Sequence, residues 1–116
     1  MVGIKAFQTE KPWGNFRQFT NNSLSTVKII TVKAGEKLSL QSHAKRSEFW
    51  RVIKGSGVIE IEGSKYDVVE GDEHNVPLRA KHRMEAGPAG LSVLEIATGD
   101  FDEEDIVRYE DKYGRV

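Results

Sequence analysis

The sequence predicts an all-β domain, either a sandwich or a barrel closed on itself. Seven or more short apolar or alternating runs are separated by turn residues at spacings of about 8–12 residues, the pattern of such folds. Eleven glycines, only three prolines and 38% hydrophobic residues suit a β-rich chain with many turns. The length of 116 residues corresponds to one domain, which would bury roughly two-thirds of the surface of its extended chain. We therefore expect a single domain over residues 1–116.

The N-terminal region is mostly polar and contains one clear turn signal. In Lys11-Pro-Trp-Gly14 the proline fixes one dihedral angle and the glycine frees another, so the segment predicts a tight turn that presents the indole of Trp13. The simpler interpretation of this indole is an aromatic lid over an edge of the core. The β-branched run Val27–Val32 then predicts a strand, and Ala34-Gly35 predicts a turn.

The middle of the chain predicts strands separated by glycine-containing turns. Val58–Glu62 alternates in the manner of a half-buried strand, whereas Leu91–Ala97 is the most apolar run of the chain. Pro77 cannot donate to a ladder, so residues 75–77 predict an edge or a bulge. The remaining predicted strands are Leu38–His43, Phe49–Ile53, Tyr66–Glu70 and Ala80–Glu85, and the predicted turns are Gly55-Ser-Gly57, Gly63-Ser64, Gly71-Asp72 and Gly87–Gly90.

The C-terminal segment, residues 102–114, predicts a short helix. Acidic residues are concentrated at its beginning and Gly114 stands at its end, which is the polarity of a helix with a capped start and a glycine after its last turn. Its many charges are interpreted as a solvated face.

Charge and cysteine content exclude several classes of protein. The formal charge of −1 and the isoelectric point of about 6.3 provide no overall field to attract nucleic acid or an anionic membrane. The absence of cysteine excludes a disulfide framework, a thiolate zinc site and a cysteine nucleophile, and it is consistent with a reducing cytosol. The first eight residues are too polar for a signal peptide. We therefore expect a cytoplasmic protein that binds neither nucleic acid nor membranes.

The stretch from Gly35 to Gly55 contains the residues with the most chemistry. If Leu38–His43 is a strand, its alternation places Ser39, Gln41 and His43 on one face. Glu48 opens the next apolar run and can present a carboxylate across the gap. An amide, an imidazole and a carboxylate that converge inside a β-structure form a plausible binding set for a divalent metal.

The spacing of these residues resembles the first of the two motifs of the cupin family. Gly35, Gln41, His43, Glu48 and Gly55 fall at its positions, although most cupins have a histidine where Gln41 stands. The second motif is matched by glycine, proline and histidine but has Arg79 in place of a usual glycine and Ala86 in place of a usual asparagine. The positions that match the second motif are Gly71, Pro77 and His82.

A closer resemblance covers nearly the whole chain, from Lys11 to Arg115. The motifs that carry it are Lys11-Pro-Trp-Gly14, Leu38-Ser-Leu-Gln41-x-His43, Glu48-x-Trp50, Pro77 with His82-Arg83, and Glu104-Asp-Ile-Val-Arg108-x-x-Asp111-x-Tyr113-Gly-Arg115. Together they resemble the C-terminal domain of type II mannose-6-phosphate isomerases, which is commonly fused behind a mannose-1-phosphate guanylyltransferase. Lys11 departs from the family pattern, which usually starts the proline-tryptophan motif with arginine. We expect the domain to stand alone, because the sequence has no glycine-rich nucleotide loop.

The resemblance implies a fold, a cofactor and a site. The fold is a jelly-roll barrel (double-stranded β-helix) with a short C-terminal helix, forming a homodimer. The cofactor is one divalent ion, zinc first and other first-row metals next. Ser39 and Arg46 are the implied substrate-binding residues, and Glu48 and Arg83 the implied catalytic residues. The implied metal ligands are Gln41, His43, Glu48 and His82.

The implied function is interconversion of mannose 6-phosphate and fructose 6-phosphate, and several alternatives remain open. The domain is alternatively a sugar-phosphate or sugar-nucleotide binding module, or the separate partner of a guanylyltransferase; an iron-dependent oxidative cupin ranks below both. Arg46 is alternatively a solvated loop residue, and Arg83 a brace of the barrel. Glu48 is the only strong carboxylate candidate for the proton-transfer base. Either it leaves the ion to take the proton, or solvent at the ion takes it.

Overall fold

The computed structural model describes residues 3–116; Met1 and Val2, the first residues of the predicted 1–116 domain, lie outside the described residues. Within residues 3–116 the structure consists of strands and turns without a helix, which confirms the prediction of an all-β fold. This part of the chain accordingly has no helix that could cross a membrane. The strands are β1 (Phe7–Lys11), β2 (Gly14–Gln18), β3 (Ser25–Val32), β4 (Leu40–Ser42), β5 (Arg46–Ile61), β6 (Ser64–Val69), β7 (Glu73–Val76), β8 (His82–Gly99) and β9 (Val107–Glu110).

The two long strands β5 and β8 organise the main sheet. They pair antiparallel over most of their length, with register shifts between Val52 and Lys54 and between Gly55 and Gly57. The first half of β5 also pairs with β7, and its second half with β6. The second half of β8 also pairs with β3, and its first half with β4, which in turn pairs with β9. One half of each long strand therefore belongs to the face β3-β8-β5-β7 and the other half to the face β6-β5-β8-β4-β9.

Two predicted hairpin turns are bends inside these long strands. The structure corrects the turns at residues 55–57 and 87–90, because each continues as strand and merges two predicted strands into one. Glycine is needed there for close approach of the two backbones. A Cβ on Gly55 would lie 2.1 Å from the carbonyl oxygen of Gly90, and a Cβ on Gly57 would lie 2.1 Å from that of Glu85. These glycines thus mark a close contact between strands. In the sequence they look the same as glycines that mark a turn.

The hydrophobic core lies between the two faces. The alternating residues of β5 and β8 that point inward contribute most of it, and Trp50 and Met84 also form part of the wall of a polar cavity described below. The core residues are Val32, Trp50, Val52, Ile59, Ile61, Val68, Val76, Ala80, Met84, Ala86, Leu91 and Val93.

The predicted C-terminal helix is wrong. Residues 102–105 form turns, and Val107–Glu110 is strand β9 at the edge of the sheet beside β4. The Asp102 carboxylate accepts a hydrogen bond from the Glu104 N–H (2.9 Å), and the Asp105 carboxylate accepts from the N–H groups of Ala44 and Lys45 (both 2.9 Å). The acidic residues therefore satisfy amides of turns and of a neighbouring loop instead of the start of a helix.

The N-terminal strands β1 and β2 form a hairpin whose turn contains Trp13, so the predicted tight turn is confirmed. The lid interpretation is wrong for this chain, because Trp13 is 74% exposed. One carboxylate ties the hairpin to the barrel: Glu73 on β7 accepts two hydrogen bonds from Arg17 on β2 (2.8 and 2.7 Å) and one from Arg51 on β5 (2.6 Å). Bidentate charge-assisted bonds of this kind fix orientation as well as distance.

Replacing Gly57 tests the close approach of β5 and β8. We expect Gly57→Ala to lower the free energy of unfolding by about 2 kcal/mol or more, because the new methyl group would overlap the Glu85 carbonyl. The matched control is Gly63→Ala, which meets no atom within 4 Å and loses about 1 kcal/mol only through its positive φ. Urea denaturation measures both, and equal losses would contradict the proposed contact.

Acid should release the hairpin from the barrel. The pKa of Glu73 lies below its ordinary value, chiefly because Arg17 hydrogen-bonds its carboxylate and also because of Arg51. A carboxyl group whose pKa is lower in the folded state than in the unfolded state stabilises the fold at pH values above the unfolded-state pKa. This stabilisation is lost as the pH falls below about 4 and passes through the folded-state pKa. Amide NMR signals of β1 and β2 should shift and broaden in that range before those of β5. Glu73→Gln should show the release at neutral pH, whereas the exposed Glu70→Gln should behave like the wild type.

Candidate metal centre

Three of the four predicted metal ligands converge in the barrel. His43 follows β4, Glu48 lies near the start of β5 and His82 begins β8, and all three are at most 4% exposed. One possible ligand atom from each lies within 4.8 Å of the others. Glu48 Oε2 is 3.4 Å from His43 Nε2, and Glu48 Oε1 is 3.6 Å from His82 Nε2. Their convergence depends on the pairing of β5 with β8 and on the position of β4 beside them.

Both imidazoles are held with the same nitrogen facing the cluster. His43 Nδ1 lies 2.7 Å from the carbonyl oxygen of Asp105, and His82 Nδ1 lies 2.9 Å from that of Ala80. A carbonyl oxygen only accepts, so each Nδ1 carries the proton and each Nε2 lone pair points to Glu48. Burial lowers the pKa of His82 and keeps it neutral. Backbone carbonyls bound to the distal nitrogen are the usual support of metal-binding histidines.

The segment before His43 follows most of the predicted alternation. Ser39, Gln41 and His43 line the cavity, whereas the Ser42 hydroxyl points away to the Tyr109 hydroxyl (2.9 Å). The structure differs in two respects, since Leu38 also lines the cavity and the regular strand is only Leu40–Ser42. Gln41 lies directly opposite His82 in the strand register, so its amide is on the same face as the cluster.

The donor set fits a divalent ion. It contains two imidazole nitrogens, a carboxylate and a nearby amide, which are ligand types of zinc and of other first-row metals. Electron-rich atoms this close repel one another unless a cation lies among them. In the structure Arg46 supplies positive charge, donating from Nε to Glu48 Oε2 (3.0 Å) and from Nη2 to His43 Nε2 (3.2 Å).

Arg46 is therefore part of the cluster. Its exposure is 6%, its Nη1 donates to the Asp102 carbonyl oxygen (3.2 Å), and its guanidinium lies 4.3 Å from the ring centre of Phe101. The alternative of a solvated loop residue is wrong for Arg46.

Sequence reasoning missed a second buried carboxylate, Glu95. It lies on β8 beside Trp50 on β5, lines the same cavity, is 4% exposed and hydrogen-bonds Glu48. Burial first, and then the charge of Glu48, raise the pKa of Glu95 to about 8. Glu48 was therefore not the only strong carboxylate candidate. The available signal was one acidic residue inside Leu91–Ala97, the most apolar strand.

The two carboxylates are held in different protonation states. Burial alone would raise the pKa of Glu48, but the neighbouring His82, the hydrogen bond from Glu95, the neighbouring His43 and the hydrogen bond from Arg46 together lower it. The Trp50 indole also donates to Glu48 Oε1 (3.1 Å). Glu48 is thus charged, while Glu95 carries the proton of their shared hydrogen bond.

The cavity that contains the cluster has a volume of about 210 Å³ and a markedly basic lining. Arg83 lies in its wall with a side chain 12% exposed, donating to the carbonyl oxygens of Leu38 (3.1 Å) and Glu110 (3.5 Å). These contacts join β8 to β9 and to the segment before β4, as a brace does. The basic residues that line the cavity are Lys28, Arg46, Arg83, Arg108 and Arg115.

The chain is similar in sequence to one family model and to part of several longer bacterial proteins. The family model described as mannose-6-phosphate isomerase C-terminal matches residues 4–111. The mannose-1-phosphate guanylyltransferase ManC of Salmonella typhimurium is 39% identical over 108 residues, which cover 91% of this chain and 22% of that protein. The alginate biosynthesis protein AlgA of Pseudomonas aeruginosa is 35% identical over 107 residues, covering 90% of this chain and 22% of AlgA. The chain thus spans about a fifth of the length of these relatives.

Solved structures establish the fold. The capsular polysaccharide assembling protein CapF of Staphylococcus aureus superposes with a TM-score of 0.68 and 19% identity, covering 91% of this chain and 34% of CapF. A cupin-2 domain protein of Rhodospirillum rubrum gives a TM-score of 0.64 and 17% identity, covering 88% of this chain and 78% of that protein. The chain therefore has the cupin fold, which confirms the predicted jelly-roll barrel.

Removing either histidine should remove the ion. After dialysis against zinc, we expect about one zinc per chain in the wild type and little in His43→Ala or His82→Ala, because each loses an imidazole ligand. The matched control is His74→Ala, since His74 lies on β7 with its ring against Tyr66 (4.8 Å between ring centres). Metal analysis gives the result. Full retention in both cluster variants would place the ion elsewhere.

Proposed function

The chain belongs to the mannose-6-phosphate isomerase C-terminal family, and on that premise we propose that it is a metal-dependent sugar-phosphate isomerase that interconverts mannose 6-phosphate and fructose 6-phosphate. The observation that supports this most is the cluster of His43, Glu48 and His82 with a second buried carboxylate, Glu95, beside it. Aldose–ketose isomerisation needs an electrophile at adjacent oxygens and a group that moves a proton between adjacent carbons. The cavity offers residues for both needs.

His43, Glu48 and His82, with Gln41 at the neighbouring position, are the residues that would hold the ion, with zinc the first choice. When bound, the ion supplies Lewis-acid polarisation of the sugar oxygens. Arg46 Nη2 contacts the His43 nitrogen that such an ion would use, so the ion and this hydrogen bond exclude each other. We propose that this Nη2 donor then contacts a sugar oxygen of the substrate together with Ser39, which is 2% exposed in the cavity wall, while Arg46 keeps its bond to Glu48.

Two carboxylates are candidates for the proton-transfer group. Glu48 is also a proposed ligand, and a cation weakens a carboxylate base by stabilising its charged form. Glu95 has no ligand role in the proposed set and reaches the same cavity. We therefore propose that Glu48 chiefly holds the ion, and that Glu95 is the base of the ion-loaded protein, in which the added positive charge would lower the pKa of Glu95 and release its proton. Arg83 is proposed to act on the substrate from the cavity wall, where its backbone contacts hold it in place.

A second candidate function is a binding module, or the separate partner of a guanylyltransferase. Two findings favour it: ManC and related proteins are named as guanylyltransferases, and this chain spans only about a fifth of their length.

We also propose a homodimer formed on the outer face of β3, where Val27 and Ile29 are 57% and 61% exposed. A free edge of β3 supports this, since β3 pairs with β8 alone among the described strands.

Turnover decides between these functions. We expect the zinc-loaded protein to convert mannose 6-phosphate to fructose 6-phosphate and to exchange the C2 proton with deuterated water, as measured by NMR. A chelated sample serves as the control and should be inactive. Metal and sugar-phosphate binding without turnover would favour the binding module, and oxygen uptake by the iron-loaded protein would favour an oxidative cupin.

A pair of carboxylate variants identifies the proton-transfer group. Glu95→Gln should retain zinc but lose C2 exchange by at least about 100-fold, the usual contribution of general acid–base catalysis. Glu48→Gln should bind zinc more weakly, because the neutral amide is a poorer ligand. Near-normal exchange in Glu95→Gln, together with loss in a zinc-loaded Glu48→Gln, would assign the base to Glu48.

A further inference from the structure

Arg108 has a buried nitrogen with no partner. Its Nε is the only buried side-chain nitrogen or oxygen within residues 3–116 that lacks a hydrogen-bond partner. Leaving a buried donor of a charged group unsatisfied is costly, and native structures seldom do so without a functional reason. Because Arg108 lines the cavity that contains the metal cluster, an anionic ligand there can supply the acceptor for this donor.

The strand register places Arg108 on the same face as the cluster. Arg108 on β9 lies opposite Gln41 on β4, and Gln41 lies opposite His82 on β8. Directly opposed residues project from the same face of a sheet. Neighbouring strands are about 4.8 Å apart, so Arg108 lies roughly 10 Å across the sheet from His82. This separation is comparable to the length of an open-chain hexose phosphate.

The other basic residues of the cavity wall are already engaged. Arg46 donates to Glu48 and to the Asp102 carbonyl oxygen, contacts that do not involve the His43 nitrogen, and Arg83 donates to two backbone carbonyls. The remaining two pair with charged acids, Lys28 with Glu103 (3.7 Å) and Arg115 with Asp111 (2.6 Å). Among the described residues that line this cavity, Arg108 is thus the cation with a buried donor that has no hydrogen-bond partner.

We propose that Arg108 binds the phosphate group of the substrate at the end of the cavity away from the metal cluster. This inference rests on the proposed function and names its phosphate subsite. A guanidinium matches phosphate with two parallel N–H donors, and it is always charged at neutral pH. Arg83 and Arg115 in the same wall add positive potential. With its phosphate at Arg108, a hexose phosphate extends its C1–C2 end towards His82 and Glu95.

Binding measurements on the zinc-loaded protein test this subsite independently of turnover. The probes are mannose 6-phosphate, mannose and inorganic phosphate, titrated by calorimetry. Arg108→Gln should weaken mannose 6-phosphate about 10- to 100-fold, the loss of a charge-assisted hydrogen bond, and should weaken phosphate likewise. Affinity for mannose and zinc content should not change. Arg108→Lys should fall between, because lysine keeps the charge but not the bidentate geometry.

The control is Arg79→Gln, because Arg79 is exposed and does not line the cavity. It should bind all three probes as the wild type does. Unchanged binding of mannose 6-phosphate to Arg108→Gln would overturn the inference, as would a wild type that binds neither phosphate probe. If Arg108→Gln does not fold, judged by circular dichroism, the affinity of Arg108→Lys decides. A wild type that binds through Arg108 without turnover would refute the isomerase and leave the phosphate subsite standing.

Discussion

The antiparallel pairing of β5 with β8 is the interaction on which the rest of the structure depends. Apart from β9, every other strand of the seven-stranded sheet pairs directly with one of these two. The same two strands provide Glu48, His82 and Glu95. Their close approach at Gly55 and Gly57 lets each strand bend and contribute to both faces. The core and the site therefore share one cause, since the bend that closes the barrel also turns these three side chains towards one another.

Inside the barrel, the dominant physical problem is a buried negative charge. Removing Glu48 from water would be strongly unfavourable without compensation, and the structure provides it from several directions. Arg46 and the Trp50 indole donate to the carboxylate, and the neighbouring Glu95 stays protonated. Two carboxylates in contact whose pKa values are driven apart are typical of sites that move protons. The polarity of the cavity thus follows from the energetics of burying Glu48 and is also what isomerisation chemistry would use.

Much of the local structure could be predicted from the sequence, and the failures share one form. Strand segments such as Tyr66–Glu70 and Leu91–Ala97 are found close to their predicted positions, because apolar alternation and turn residues act over a few neighbours. The turns at 55–57 and 87–90 were wrong because a glycine needed for contact with a distant backbone looks like a glycine needed for a hairpin. The predicted helix at 102–114 was wrong because pairing with β4 and bonds to the 43–45 loop outweighed its charge polarity.

The sequence by itself determined the all-β class, because apolar alternation and turn residues are local properties, and the resemblance of its motifs to a known family pointed to His43, Glu48 and His82. Only the tertiary structure decided that Glu95 and Arg108 belong to the same cavity. Each lies far along the chain from His43. Arg108 stands in a charged segment in which a surface arginine would be ordinary, and Glu95 stands out only as the acidic residue of an apolar strand. Their roles arise from the pairing register of the strands. This register determines on which face of the sheet a side chain lies and whether it is buried away from water. That register is a long-range quantity, and it exists only once β5, β8, β4 and β9 have paired.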